Sequence, residues 1–181
     1  MVRLFISINV PIEIKEKLKL FQNKLKDLME GTLTPIDNLH ITIKYLGEVK
    51  DVEQIKSICI EAIPLPKFTA EIKGISVFPS TDRIRIIWAG IGAGTEALAS
   101  IRKGLDERLD KLGFGDDKDF RAHITLARVK KVLHKGALKS LIKNNHDNLF
   151  GKFRVERVSL MESLLGKTGA AHSEIASFTL S

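Results

Sequence analysis

The sequence predicts an α+β fold of two pseudo-symmetric lobes, each a mainly antiparallel sheet with helices on its outer face, enclosing a central cleft. Three observations predict it. The tetrapeptides His40-Ile41-Thr42-Ile43 and His123-Ile124-Thr125-Leu126 stand 123 − 40 = 83 residues apart. The same offset carries Ile55, Ile58 and Cys59 onto Leu138, Leu141 and Ile142, and Ile75-Ser76-Val77 onto Val158-Ser159-Leu160. Shifted by one, Phe21, Leu25 and Leu28 fall on Leu105, Leu109 and Leu112. Apolar positions repeating in register mark two strand–helix–strand–helix–strand units, near residues 2–80 and 83–165, with a closing strand at 172–180. Two copies are too few for a solenoid, so the units are expected to face each other within one domain spanning 1–181.

The elements follow in order. Residues 2–9 (VRLFISIN) read as a strand, and Pro11 then opens a helix whose apolar face is Ile14, Leu18, Phe21, Leu25 and Leu28. The first tetrapeptide lies in the next strand. Asp51 with Gln54 three residues on marks a helix start, continued by Val52, Ile55, Ile58 and Cys59 and stopped by Pro64-Leu65-Pro66. A strand FTAEIKGISVF follows, and the order begins again: a strand at 83–91, a helix at 96–112 capped by Thr95, the strand of the second tetrapeptide, a helix near 134–144, and a strand FRVERVSLM.

Composition narrows the class. A chain of 181 residues is long enough to bury a real core, and its one cysteine, Cys59, has no partner for a disulfide within the chain and is expected to be a small buried apolar side chain. No apolar run approaches the roughly 18 residues that cross a bilayer, and the N-terminus lacks the pattern of a secretory leader, so no membrane partner and a cytoplasmic location are expected. A net charge of +7 favours an anionic partner such as RNA.

Strand alternation gives the tetrapeptides a chemical reading. His40 and Thr42 point one way while Leu39, Ile41 and Ile43 point the other; His123 and Thr125 stand likewise against Ala122, Ile124 and Leu126. Each strand anchors an apolar face and offers a His and a Thr to the shared cleft. Two imidazoles suit a displacement in which one takes a proton from the nucleophile and the other gives one to the leaving group. Threonine hydroxyls can donate to oxygens whose charge grows in the transition state, which matches phosphoryl chemistry. Lys44 and Arg121 share parity with their neighbouring histidines and are either contacts for the phosphates of an anionic partner such as RNA or solvated charges at the rim. Tyr45 and Phe120 are out of step and are expected to face away unless the strands twist or end there.

With these motifs in view, the chain resembles the two-histidine phosphoesterase superfamily, defined by paired His-x-Thr-x motifs. It is most similar to the bacterial and archaeal RNA 2',3'-cyclic phosphodiesterases, formerly called 2'-5' RNA ligases. RLFISINVP, DNLHITIKYLGEV, RIRIIWAGI and FRAHITLAR carry the likeness. The resemblance implies metal-independent opening of a 2',3'-cyclic phosphate at an RNA end, such as a tRNA half or other cleaved RNA, by a monomer without cofactor, leaving a 2'-phosphate. It implies His40 as proton donor to the departing 3' oxygen and His123 as the base that activates water, although a near-symmetric site allows the reverse. Thr42 and Thr125 would hold non-bridging oxygens. Arg128 is implied as a phosphate ligand, which strand parity permits only past a bulge or the strand end. Reversible 2'-5' joining would use a ribose hydroxyl in place of water. The sequence departs from the family at Ala122, where proline is frequent, and at Gly169-Ala170-Ala171-His172, where a glycine-proline-tyrosine-like segment is usual. His172 there is either a polar or stacking substitute or a loop histidine without a role.

Other motifs fall away. Gly90-Ile91-Gly92-Ala93-Gly94 has Thr95 where a dinucleotide-binding turn needs its third glycine, and Gly166-Lys167-Thr168 has Met161 where a P-loop needs its first. The acidic run at 115–119 lacks calcium-loop spacing and reads as a solvated turn, and no His or Cys cluster has zinc spacing, so no metal is expected. The rival class is a non-catalytic protein that binds RNA ends or nucleotides in the same cleft.

Overall fold

A computed structural model describes residues 1–63, 65–115, 120–166 and 169–181. Pro64, most of the acidic 115–119 run, and Lys167-Thr168 of the rejected P-loop lie outside the described residues. Among the described residues, nine strands form two antiparallel sheets. In the first, the order is β3 (His40–Val49), β1 (Val2–Asn9), β8 (Arg157–Gly166) and β9 (Gly169–Thr179). In the second, it is β2 (Met29–Leu33), β6 (His123–Val132), β5 (Ile84–Ile91), β4 (Phe68–Pro79) and β7 (Leu149–Val155).

Each sheet takes strands from both halves of the chain: β8 and β9 join β1 and β3, while β2 and β4 join β5, β6 and β7. The helices cross over as well. α1 (Ile12–Asn23) packs on β6 and β7 of the second sheet, with Phe21 meeting Phe150 edge-on at 6.3 Å, and α4 (Lys135–Asn144) packs on β4. α3 (Thr95–Leu109) packs on β3 and against α2 (Val52–Ala62), which also touches β9 of the first sheet. The apolar faces read from the sequence supply most of this packing: Ile14, Leu18 and Phe21 from α1, Ile55 and Cys59 from α2, Leu105 and Leu109 from α3, and Leu138 and Ile142 from α4 are buried, joined by Leu98 and Ile101 of α3, whereas Leu112 is exposed.

Several boundaries differ from the sequence reading for identifiable reasons. The segment 153–161 is two strands in different sheets, broken at exposed Glu156, whose carbonyl accepts from Leu180 N at 2.8 Å. β2 is a short edge strand with an exposed centre, so it has no apolar alternation to announce it. α1 ends at Asn23, and Leu25 enters the core from the turn beyond it. α3 ends at Leu109 in a short 3-10 turn. Thr95 is not the cap of α3: its Oγ1 donates back to Gly92 O at 2.7 Å, and Gly94 precedes the helix at φ 94° with a Cβ position only 2.7 Å from Thr69 O. Asp51 does cap α2, accepting from Gln54 N at 3.0 Å. No helix among the described residues is long and apolar enough to cross a membrane.

Candidate active site

His40 and His123 are the first residues of β3 and β6, strands that contact each other between the sheets. The two segments share one burial pattern: the His and Thr are half-buried, the Ile between them is buried, and the two residues after Thr are buried as well. His123 Nδ1 donates to the carbonyl of Arg121, two residues back, at 2.6 Å, and the His40 ring bonds equivalently to the backbone of Asn38. A ring that gives its Nδ1 proton to a carbonyl keeps Nε2 for proton transfer. His40 Nε2 lies 3.0 Å from Thr42 Oγ1.

Aromatic walls hold both rings. Phe5 stacks on His40 with centroids 4.9 Å apart, and His172 meets both rings edge-on, at 4.8 Å from Phe5 and 5.5 Å from His40. Phe78 and Trp88 stack on each other and meet His123 edge-on at 5.3 and 5.7 Å. Burial pushes the His40 imidazole down to about 4, helped by charge on His172, Lys15 and His123. Burial also lowers His123, assisted by the Arg128 charge, and lowers His172. All three rings are therefore neutral in the free cleft near pH 7.

A bulge follows each motif. Ser7 pairs with Thr42 and Ile6 with Lys44, so Ile43 is the extra residue; Trp88 pairs with Thr125 and Ile87 with Ala127, so Leu126 is its counterpart. The extra residue inverts parity downstream. Tyr45 and Arg128, themselves 128 − 45 = 83 residues apart, turn to the cleft. Both line a cavity of about 360 Å³ together with His40, Thr42, Thr125, Phe5 and His172. The bulge carbonyls are held by buried side chains from the helices that cross over: Gln22 Nε2 donates to Leu126 O at 2.7 Å and to Thr34 O at 2.8 Å, and Arg102 Nη1 donates to Ile43 O at 2.9 Å.

The same inversion removes Lys44 from the cleft. It is buried on the core face, where its ammonium pairs with Asp106 and, at 3.6 Å, with Asp110. The expectation that Lys44 meets RNA is corrected accordingly. Arg121 precedes β6 and lines a separate cavity beyond His123, not the one shared by His40 and Arg128. Phe120 lines that second cavity too, with Arg102 5.1 Å over its ring. His172 is a strand residue of β9 at the cleft, not a loop residue. Tyr45, Phe5 and Asn38 also line this cavity, where strand parity did not place them; the bulge that decides Tyr45 leaves no mark in the sequence. Cys59 is buried and remote, with its thiol pushed up to about 12 by burial. Among the described residues no group of three His, Cys, Asp or Glu side chains is arranged to hold a metal.

Comparison with known proteins matches the chain to the LigT like Phosphoesterase family model over residues 8–88 and 91–172, which contain both motifs. The chain belongs to this family. An RNA 2',3'-cyclic phosphodiesterase of Methanocaldococcus jannaschii is 38% identical over 96% of this chain and 98% of its own length. One of that name from Archaeoglobus fulgidus is 30% identical over 97% of this chain and 99% of its own. Among solved structures, TT0787 of Thermus thermophilus superposes with a TM-score of 0.80 at 26% identity, covering 98% of this chain and 97% of the other. Escherichia coli LigT complexed with 3'-AMP shares the fold, with a TM-score of 0.79 at 22% identity, covering 99% of this chain and 98% of the other.

Proposed function

We propose that the chain hydrolyses RNA 2',3'-cyclic phosphate ends to 2'-phosphates by acid–base catalysis between His40 and His123, without a metal. The observation that supports this reading best is the meeting of β3 and β6, which brings His40, Thr42 and Thr125 to one cavity with His123 at the head of the strand that carries Thr125, each ring tethered to the backbone two residues before it. The names of the two archaeal relatives support it. The strand exchange also supports reading the chain as one duplicated domain, of units near 2–80 and 83–165.

In the proposed step, water attacks phosphorus in line with the P–O3' bond, its proton passing to His123 Nε2. The bond to O3' breaks as His40 delivers a proton to that oxygen, leaving a 3'-hydroxyl and a 2'-phosphate. Thr42, Thr125 and Arg128 meet the non-bridging oxygens. Burial makes His40 the harder ring to protonate in the free cleft, so its donor role requires the substrate's negative charge to draw the proton onto it. A monomer acting in the cytoplasm on tRNA halves or other cleaved RNA completes the proposal, and 2'-5' joining is the same displacement with a ribose hydroxyl as nucleophile.

His40→Ala and His123→Ala test the roles. Each should lower turnover of a cyclic-phosphate RNA by a factor on the order of 10³ while leaving most of the binding. Near-wild-type turnover in either variant rejects the assignment. A wild-type protein that binds such ends tightly and never turns over is the non-catalytic binder.

A further inference from the structure

A second cavity, of about 350 Å³, shares no lining residue with the first and lies near His123 through Trp88, whose ring is 5.7 Å from the imidazole. Gly90 stands opposite His123 in the β5–β6 register and lines this cavity, so no side chain fills the space beside the ring on that strand. Trp88, in edge contact with His123, forms one wall, and Arg121, whose carbonyl tethers His123, forms another. Phe120, Lys73, His146, Ser76 and Thr95 also line it. Lys73 is paired with Asp147 at 2.7 Å, and His146 Nδ1 bonds to Lys143 O at 2.8 Å.

Rings and cations around a space of this size suit a nucleotide, because a base stacks on an aromatic face while its phosphate meets a guanidinium or ammonium. An RNA that ends in a cyclic phosphate has a terminal nucleotide for the first cavity and, joined to its 5' oxygen, a second nucleotide to place near His123. We propose that the second cavity binds the nucleotide preceding the cyclic phosphate, with Arg121 at the linking phosphate and Phe120 or Trp88 against its base. This rests on the cyclic-phosphate reading above. It also gives Arg121 its place: an RNA contact one nucleotide removed from the reacting phosphorus. The site thereby selects oligonucleotide ends over cyclic mononucleotides.

Ala99 offers the test. It is an exposed residue of α3 that lines the second cavity and touches none of the reacting groups, so Ala99→Trp plugs the space from a helix surface. kcat/KM would be measured for adenosine 2',3'-cyclic phosphate and for a dinucleotide and a hexanucleotide ending in the same group. Wild-type protein is expected to favour the dinucleotide over the mononucleotide by about tenfold or more, in line with one added stacked base, with the hexanucleotide close to the dinucleotide. In Ala99→Trp the preference should shrink to about twofold with mononucleotide turnover unchanged, and Arg121→Ala should reduce the preference and its salt dependence. Equal rates on mononucleotide and dinucleotide in wild type, or an unchanged preference in Ala99→Trp, overturn the proposal. So does a plug that blocks only joining to an added 5'-hydroxyl RNA, since the cavity then holds a second strand. No turnover of any of the three substrates is a failure of the catalytic reading and is distinguishable from these results.

Discussion

The most informative single residue is His40, whose surroundings oppose its charge. Its folded-state value of about 4 lies below the roughly 6.5 of an unfolded histidine. A lowered histidine contributes stability that is fully present above about pH 6.5 and is lost as pH falls through about 4, because the unfolded chain takes up the proton first. His123 and His172 shift in the same direction. Chemical denaturation should therefore give a falling unfolding free energy between pH 6.5 and 4, with at most about 3 kcal/mol from His40. His40→Gln should flatten the profile; an unchanged slope would remove burial of this ring as the cause. An anion in the cleft should reverse the effect, so inorganic phosphate is predicted to raise the His40 value in a histidine NMR titration. If the proton goes to His123 alone, donor and base exchange roles. Cys59, buried with its thiol pushed up to about 12, should stay unmodified by a thiol reagent in the native protein and react on unfolding.

Among the elements, the two bulges decide which side chains face the cleft. Gln22 on α1 holds the Leu126 carbonyl and thereby the turn that presents Arg128. Gln22→Leu leaves buried carbonyls short of a donor and should cost about 1–3 kcal/mol of stability. It should also lower kcat/KM, and Arg128→Ala added to it should cost far less than Arg128→Ala alone. Fully additive effects would show that Gln22 does not act through Arg128. The His and Thr positions were legible in the sequence because alternation holds as far as the threonines. Beyond them it fails: Lys44 and Tyr45 exchange faces, because a bulge is set by a helix side chain from elsewhere in the chain, and nothing in the local pattern encodes it. The break at Glu156 marks the sequence only as the Glu156-Arg157 pair, which shifts the apolar alternation from Phe153 and Val155 to Val158 and Leu160 as a bulge within one strand would also do.

The whole molecule follows from the exchange of β4 and β8 between the sheets and of the helices across them. The repeat of 83 residues was readable from apolar register, but two units in register do not say whether each closes on itself or completes the other. Because each sheet contains strands of both halves, residues 1–82 alone should not fold. The intact chain should unfold in one transition, with the fluorescence of Trp88 in the second sheet and far-UV circular dichroism giving one midpoint. Separate midpoints would contradict a shared core. The exchange also places one motif on each sheet, so the site exists only when both are assembled.

On the proposed function, the assembled pair of motifs opens a cyclic phosphate in one direction. The most direct measurement is the position of the phosphate after purified protein, in EDTA, acts on a defined oligonucleotide ending in a 2',3'-cyclic phosphate. The expected product is a 2'-phosphate beside a free 3'-hydroxyl. A 3'-phosphate product, or no hydrolysis between pH 5 and 8, would contradict it.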